Sequence, residues 1–257
     1  MHRLRACVSW QLMRMRVGST ATRSYSPLSC CWMEVTRRNF PSALLEISSL
    51  LPRSCLVSFD CEFTGLRGND TREEWEDTPE ERYSKLRDGC SEFCLIQYGI
   101  CLFVKQENEY EVFPFNFYLF PCHSLGRRLD RCFRCQPSSL KLLSNSGLDF
   151  NKWIREGIPY MRETDELWWK RRRKEAEEPS DEELNQCLGF SRVFKIIADS
   201  NIPVVGHSVL LDLLHTYSHF IDDLPKELEA FKSEINRRLT RYVLVIFTLR
   251  RFDEYVF

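Results

Sequence analysis

No apolar run in this chain approaches the roughly 20 residues that a helix needs to cross a bilayer. The longest late run, Tyr242 to Leu249, has the length of a strand, so no membrane span is expected. Excess charge is also missing: 36 Lys and Arg stand against 37 Asp and Glu, for a net charge of -1. That excludes the global basic footprint of a non-specific nucleic-acid binder, so any nucleic-acid site must be local and metal-assisted. The 12 cysteines form no disulfide framework. They are scattered, and Cys55, Cys61, Cys94 and Cys101 lie in apolar runs, as buried thiols of a reducing compartment do. Cys132-Phe133-Arg134-Cys135 has no second pair at the spacing of a zinc site, which leaves these as core or surface thiols. Internal repeats and low-complexity tracts are lacking too. Finally, residues Met1 to Met33 contain no acid, while Arg3, Arg5, Arg14, Arg16 and Arg23 recur among Ser and Thr. That is the composition of a mitochondrial transit peptide or of a disordered extension. The expected organisation is a leader over 1–33 and one domain over 34–257.

The chain has 257 residues and 43% hydrophobic content, enough for one domain with a full core. Its central stretch is Leu56-Val57-Ser58-Phe59-Asp60-Cys61-Glu62-Phe63-Thr64-Gly65-Leu66. It starts apolar, as a buried strand does, and stops at a turn containing glycine. Residues i and i+2 of a strand share a face, so Asp60 and Glu62 project together and Cys61 opposes them. Two carboxylates at the end of an apolar strand repel and resist desolvation. A hard cation such as Mg²⁺ or Mn²⁺ removes both difficulties. A solvated strand end with idle acids is the plainer alternative.

The remaining elements follow from periodicity. Thr36 to Leu51 reads as a helix ended by Pro52, with Thr36 or Asn39 as its cap. Pro79 to Arg87 reads as a short exposed helix with Pro at its first turn. Phe93 to Val104 and Tyr110 to Phe120 predict an antiparallel hairpin across a polar connection. Short helices are expected over Pro137 to Asn145 and Asp149 to Glu156, and a charged one over Thr164 to Glu178. Ser180 to Ser200 predicts one helix opened by a capping box of Ser180 and Glu183. Ile202 to Val205 is a short buried strand, Gly206-His207-Ser208 a turn, and Val209 to Phe220 a helix. Asp212 sits among Leu210, Leu211, Leu213 and Leu214, where a lone acid needs a partner; a metal shared with Asp60 and Glu62 would be one. Leu224 to Leu239 predicts a helix with Pro225 at its first turn, and Tyr242 to Leu249 a strand. The pattern of elements predicts an α/β layered domain, and its acids suggest a two-metal phosphodiester site.

These residues resemble a known family. Phe59 to Leu66 is similar to the first motif of the DEDD exonucleases, closest to the poly(A)-specific ribonuclease group of the CAF1 ribonuclease family. Phe115-Asn116-Phe117-Tyr118-Leu119-Phe120-Pro121, Phe150-Asn151-Lys152 with Gly157-Ile158-Pro159-Tyr160, and Val205-Gly206-His207-Ser208 leading to Leu211-Asp212-Leu213-Leu214-His215-Thr216 are similar to the same group, in the same order. The resemblance runs from about Met33 to about Leu239.

It implies a ribonuclease H-like mixed sheet flanked by helices, and 3′ to 5′ removal of adenosines from RNA with a 3′ poly(A) or oligo(A) tail. It implies Mg²⁺ held by Asp60, Glu62 and Asp212, and a possible homodimer. The expected compartment is the nucleus or cytoplasm, or the mitochondrion if the leader targets it. His207 and His215 do not match the family's general base. The family's third motif, with its base and fourth acid, has no counterpart after about Asn236. The expectation is therefore a domain incomplete at its C-terminus, with impaired activity and a doubtful second ion. The alternative is a non-catalytic remnant that binds RNA or a partner.

Overall fold

The computed structural model describes residues 32–66, 76–107, 109–121, 132–172 and 180–239, and the backbone of 242–245. The leader expected over 1–33 lies outside these residues except at its end. There Met33–Val35 forms strand β1, so the domain's first paired residue falls just inside the leader's expected range. The last residues of the strand expected over Tyr242 to Leu249 also lie outside.

β2 (Ser54–Phe63), β3 (Leu95–Lys105) and β4 (Tyr110–Tyr118) form an antiparallel meander, the hairpin expected from its two aromatic runs. β1 pairs parallel with β4. β5 (Val204–His207) pairs parallel with the other edge of β2, and β6 (Tyr242–Val245) parallel with β5. The sheet order is β1-β4-β3-β2-β5-β6, a mixed sheet as expected.

Alternation sorts β2 into two faces. Val57, Phe59, Cys61 and Phe63 are buried in the main core. Their partners on β3, Leu102, Ile100 and Tyr98, belong to the same core. Helices α1 (Phe40–Leu50), α7 (Ser191–Asp199), α8 (Leu210–Phe220) and α9 (Leu228–Arg238) supply Ile47, Val193, Leu214 and Phe231 to it. A bulge after Glu62 leaves Ile96 without a partner on β2, since Glu62 faces Gln97 and Phe63 faces Leu95. The extra residue flips Ile96 to the opposite face. There it joins Tyr118, Leu143 of α3 (Pro137–Asn145) and Trp153 of α4 (Phe150–Glu156) in a smaller cluster.

Several boundaries differ from the sequence reading. Ser180 to Ser200 is two helices, α6 (Asp181–Leu188) and α7, broken at Gly189. The Ser180 capping box is present as expected. Gly189 takes φ 41°, a left-handed conformation that favours glycine. A Cβ there would stand 2.0 Å from the Pro159 carbonyl oxygen, so the break lets the Pro159–Tyr160 backbone pass. α2 (Pro79–Cys90) is opened by a capping box between Thr78 and Glu81. The charged helix is present as α5 (Glu163–Arg172), and the rest of its expected range, 173–178, lies outside the described residues. α9 begins at Leu228 rather than near Pro225, because Glu227 before it is extended (φ -99°, ψ 138°); the Pro225 carbonyl accepts from the Tyr83 hydroxyl at 2.7 Å. At α1 the cap is inverted: the Asn39 side chain accepts from the Thr36 N–H at 2.8 Å instead of capping the helix.

Candidate active site at the fork of two strands

β5 pairs with β2 only at Val57 and Ser58. The Val57 N–H still finds a partner there, the Pro203 carbonyl at 2.9 Å. Beyond that point the two strands part, and the N–H groups on that edge of β2 need another acceptor. For Cys61 it is the carboxylate of Asp212, whose Oδ1 accepts the Cys61 N–H at 2.8 Å. An acid 151 residues away in sequence thus stands where a strand carbonyl would be.

The turn after β5 aims it. Ser208 lies in the left-handed region at φ 54°, a conformation that a non-glycine residue holds only when its surroundings impose it. Val209 packs so closely on Gly206 that a Cβ on Gly206 would stand 2.1 Å from its Cγ1. α8 then starts at once and carries Asp212 in its first turn, where the helix dipole favours an anion.

Asp212 is buried. Burial, then the negative charge of Asp60, push its carboxyl up to about 8, against the opposing pull of the hydrogen bond from Cys61. Cys61, between the acids, has its thiol raised by burial first and then by Asp212, Asp60 and Glu62. The structure therefore brings Asp60 and Asp212 into electrostatic contact, with Glu62 one alternation further along the Asp60 face of β2. Asp60 and Glu62 are half-buried. Opposite Asp60 on β3 stands Gly99, which puts no side chain on that face.

Among the described residues no three Asp, Glu, His or Cys side chains are grouped closely enough to hold a metal ion as they stand. The donor set nonetheless suits a divalent cation. Its atoms are hard carboxylate oxygens, and one carboxyl is driven towards its neutral form by burial and by the charge of Asp60.

Sequence reasoning had set aside His215 as a base and gave it no other place. It is fully buried one turn after Asp212 and stacks on Phe63 with ring centroids 4.1 Å apart. Neither ring nitrogen has a hydrogen-bond partner. Burial, then His219, hold it well below its ordinary pKa, so it is a neutral ring wedged behind the acids. Two aromatic side chains at matching strand and helix positions were the available signal. His207 ends β5 and is exposed. Cys132 and Cys135 of the C-x-x-C are both exposed.

The family model described as CAF1 family ribonuclease matches residues 35–178 and 164–243. A poly(A)-specific ribonuclease PARN from Danio rerio is 28% identical over 78% of this chain and 47% of its own length. The pre-piRNA 3′-exonuclease trimmer of Bombyx mori is 24% identical over 79% of this chain and 55% of its own. The chain spans about half the length of the curated relatives it matches. The fold is similar to that of S. pombe Pop2p in its Mg²⁺- and Mn²⁺-bound form, with TM-score 0.56 and 18% identity over 82% of this chain and 71% of that one. The ribonuclease domain of yeast Pop2 has TM-score 0.51 and 18% identity, over 87% and 72% respectively. Neither the fold nor these relatives support the expected homodimer.

Proposed function

Because the chain belongs to the CAF1 family of ribonucleases, we propose that it acts on the 3′ end of RNA, as a 3′ to 5′ exoribonuclease of the poly(A)-specific type. The observation that carries this reading is the Asp212 carboxylate bonded to the backbone between Asp60 and Glu62. In it, Asp60, Glu62 and Asp212 would hold Mg²⁺ or Mn²⁺, which would supply charge neutralisation at the scissile phosphodiester. The chain's own part is positional. The Cys61 N–H fixes one Asp212 oxygen and leaves the other for the cation. The Phe63 and His215 rings wall off the core side, so charge concentrates on the Asp60 face. The absence of a side chain at residue 99 leaves room above Asp60 for a phosphate. RNA bearing a 3′ oligo(A) tract is the proposed substrate. Support comes from the names of the relatives and from a site whose net negative charge needs a metal before it can meet a phosphate.

A second reading is binding of RNA without hydrolysis, favoured by the looseness of the acid cluster among the described residues. The full chain is incubated with a 5′-labelled 20-nucleotide oligo(A), with Mg²⁺ or with a chelator. Stepwise shortening that needs Mg²⁺ and is lost in Asp60→Asn supports the first reading. Mg²⁺-dependent binding without shortening supports the second, and neither binding nor shortening refutes both. The compartment proposed is nucleus or cytoplasm, with the leader as an alternative mitochondrial address. A reporter fused to residues Met1–Met33 that stays diffuse would remove that alternative.

A further inference from the structure

The strand fork places one more polar side chain on the face that carries the acids. β5 runs past its last pairing with β2 and ends at His207, which pairs with Val245 of β6. Val204 belongs to the main core and pairs with Val57 of the same core. Side chains alternate along a strand. Val204 and Gly206 therefore take the core face of the sheet, and Val205 and His207 take the other. On β2 that other face carries Ser58, Asp60 and Glu62, because Val57, Phe59, Cys61 and Phe63 line the core. His207 is thus on the same side of the sheet as the two acids, one strand over.

Pairing of β2 with β5 stops at Ser58 and Val205, but contact continues. A Cβ on Gly206 would stand 3.3 Å from the Phe59 carbonyl oxygen. The next residue is Asp60 on one strand and His207 on the other. The two backbones are still neighbours where the first acid and the imidazole leave them. One residue further, at Cys61, the Asp212 carboxylate has taken the place of a strand. Asp60 is therefore bordered by His207 on the β5 side and by Gly99 on the β3 side. Gly99 offers no side chain there, whereas His207 offers an exposed ring. No Lys or Arg stands beside the acids on this face of β2, β3 and β5.

Building on the exoribonuclease reading, we propose that His207 contacts the substrate: its ring N–H donates to a non-bridging oxygen of the phosphate that links the 3′-terminal nucleotide. A neutral imidazole is enough, since one ring nitrogen carries a hydrogen in either tautomer. A phosphate above Asp60 then has open space towards Gly99, where the rest of the RNA leaves, and a hydrogen-bond donor on its opposite flank. Such a bond strengthens as charge builds on the phosphate oxygens, so it favours the transition state over the ground state.

The full chain and its His207→Ala and His207→Gln variants are given 5′-labelled oligo(A) of 3 and of 20 nucleotides with Mg²⁺. Shortening and equilibrium binding are both measured, beside thermal unfolding with and without Mg²⁺. Losing one buried oxyanion donor costs about 10²–10³ in kcat. His207 is exposed, so His207→Ala is expected to lose about tenfold in kcat/KM. The loss is the same for both lengths, because the contact is at the 3′ end. Gln keeps an N–H and recovers most of it. Mg²⁺ raises the unfolding midpoint of all three proteins alike, since the imidazole is not one of the cation's carboxylate ligands. If the wild type binds without shortening, the same pattern is expected in Kd. Wild-type behaviour of His207→Ala, a loss confined to the longer RNA, a lost Mg²⁺ response, or a Gln variant no better than Ala overturns the proposal and leaves the exoribonuclease reading standing. A wild type that neither shortens nor binds oligo(A) removes both.

Discussion

Replacing Asp212 by Asn tests the electrostatics of the strand fork directly. Asn keeps an oxygen to accept the Cys61 N–H but removes the charge beside Asp60. Burial and Asp60 raise the folded-state carboxyl from an ordinary 3.8 to about 8. The folded chain therefore binds this proton more tightly than the unfolded chain does. Its contribution to stability is whole below about pH 3.8 and is lost as the pH climbs to about 8. At about 1.4 kcal/mol per pH unit, the loss by pH 7.5 reaches about 5 kcal/mol. Relaxation around the charge reduces the working figure to about 3–5 kcal/mol. Without divalent ions, Asp212→Asn is thus expected to be more stable than the wild type at pH 7.5. A domain of this size gains about 2–4 °C per kcal/mol, so its unfolding midpoint rises by about 6 °C or more. At pH 5 the gain shrinks below about 2 kcal/mol, because little of the interval has been crossed. Adding Mg²⁺ narrows the gap. A cation at 100 times its Kd stabilises the wild type by about 2.7 kcal/mol, and the variant, lacking one ligand, by much less. The assay is thermal unfolding at pH 5 and 7.5, with Mg²⁺ or EDTA. A variant that melts at or below the wild type in EDTA at pH 7.5 would refute the reasoning, since no uncompensated charge would then exist.

Gly99→Leu is expected to weaken oligo(A) binding or turnover at least tenfold with the unfolding midpoint nearly unchanged. The new Cβ meets nothing closer than the Asp60 carbonyl at 3.6 Å, yet the side chain fills the face above Asp60; circular dichroism melts beside filter binding check both halves. Gly189→Ala is expected to cost about 2 kcal/mol or more in urea unfolding, because the residue sits at φ 41° and its Cβ would clash with the Pro159 carbonyl. His215 is held neutral in the fold, so its stabilising contribution is whole above about pH 6.5 and is lost as the pH falls below that. His215→Leu should therefore flatten the acid side of the pH–stability curve without loss at pH 7.5, given that both ring nitrogens are unpaired already.

Much of this architecture was legible because local chemistry and tertiary demand agree. The β-branched and aromatic runs of β3 and β4, the Asp60-Cys61-Glu62 alternation, and the Ser180 capping box each carry one signal that the fold keeps. Gly189 was misread because a helical stripe on both sides outweighs one glycine, and the reason for the break, the Pro159 backbone, lies 30 residues upstream. Pro225 was misread because proline suits a helix start, and nothing local marks that Glu227 is extended. In the site, the need of Asp212 for a partner could be read from the leucines around it. The partner's being a main-chain N–H could not, since no side-chain pattern records where β5 leaves β2.

The separation of Asp212 from Cys61 has a consequence for the growing chain. Ribosomes add about 5–20 residues per second, so the 151 residues between them take roughly 8–30 s to appear. Hairpins close in about 1–10 μs, and the β2–β3–β4 meander is complete long before that delay ends. Throughout it, the free edge of β2 is a template for any passing strand. The half-buried acids at that edge are then gatekeepers before they are ligands, because like charges set edge to edge discourage two nascent chains from pairing there.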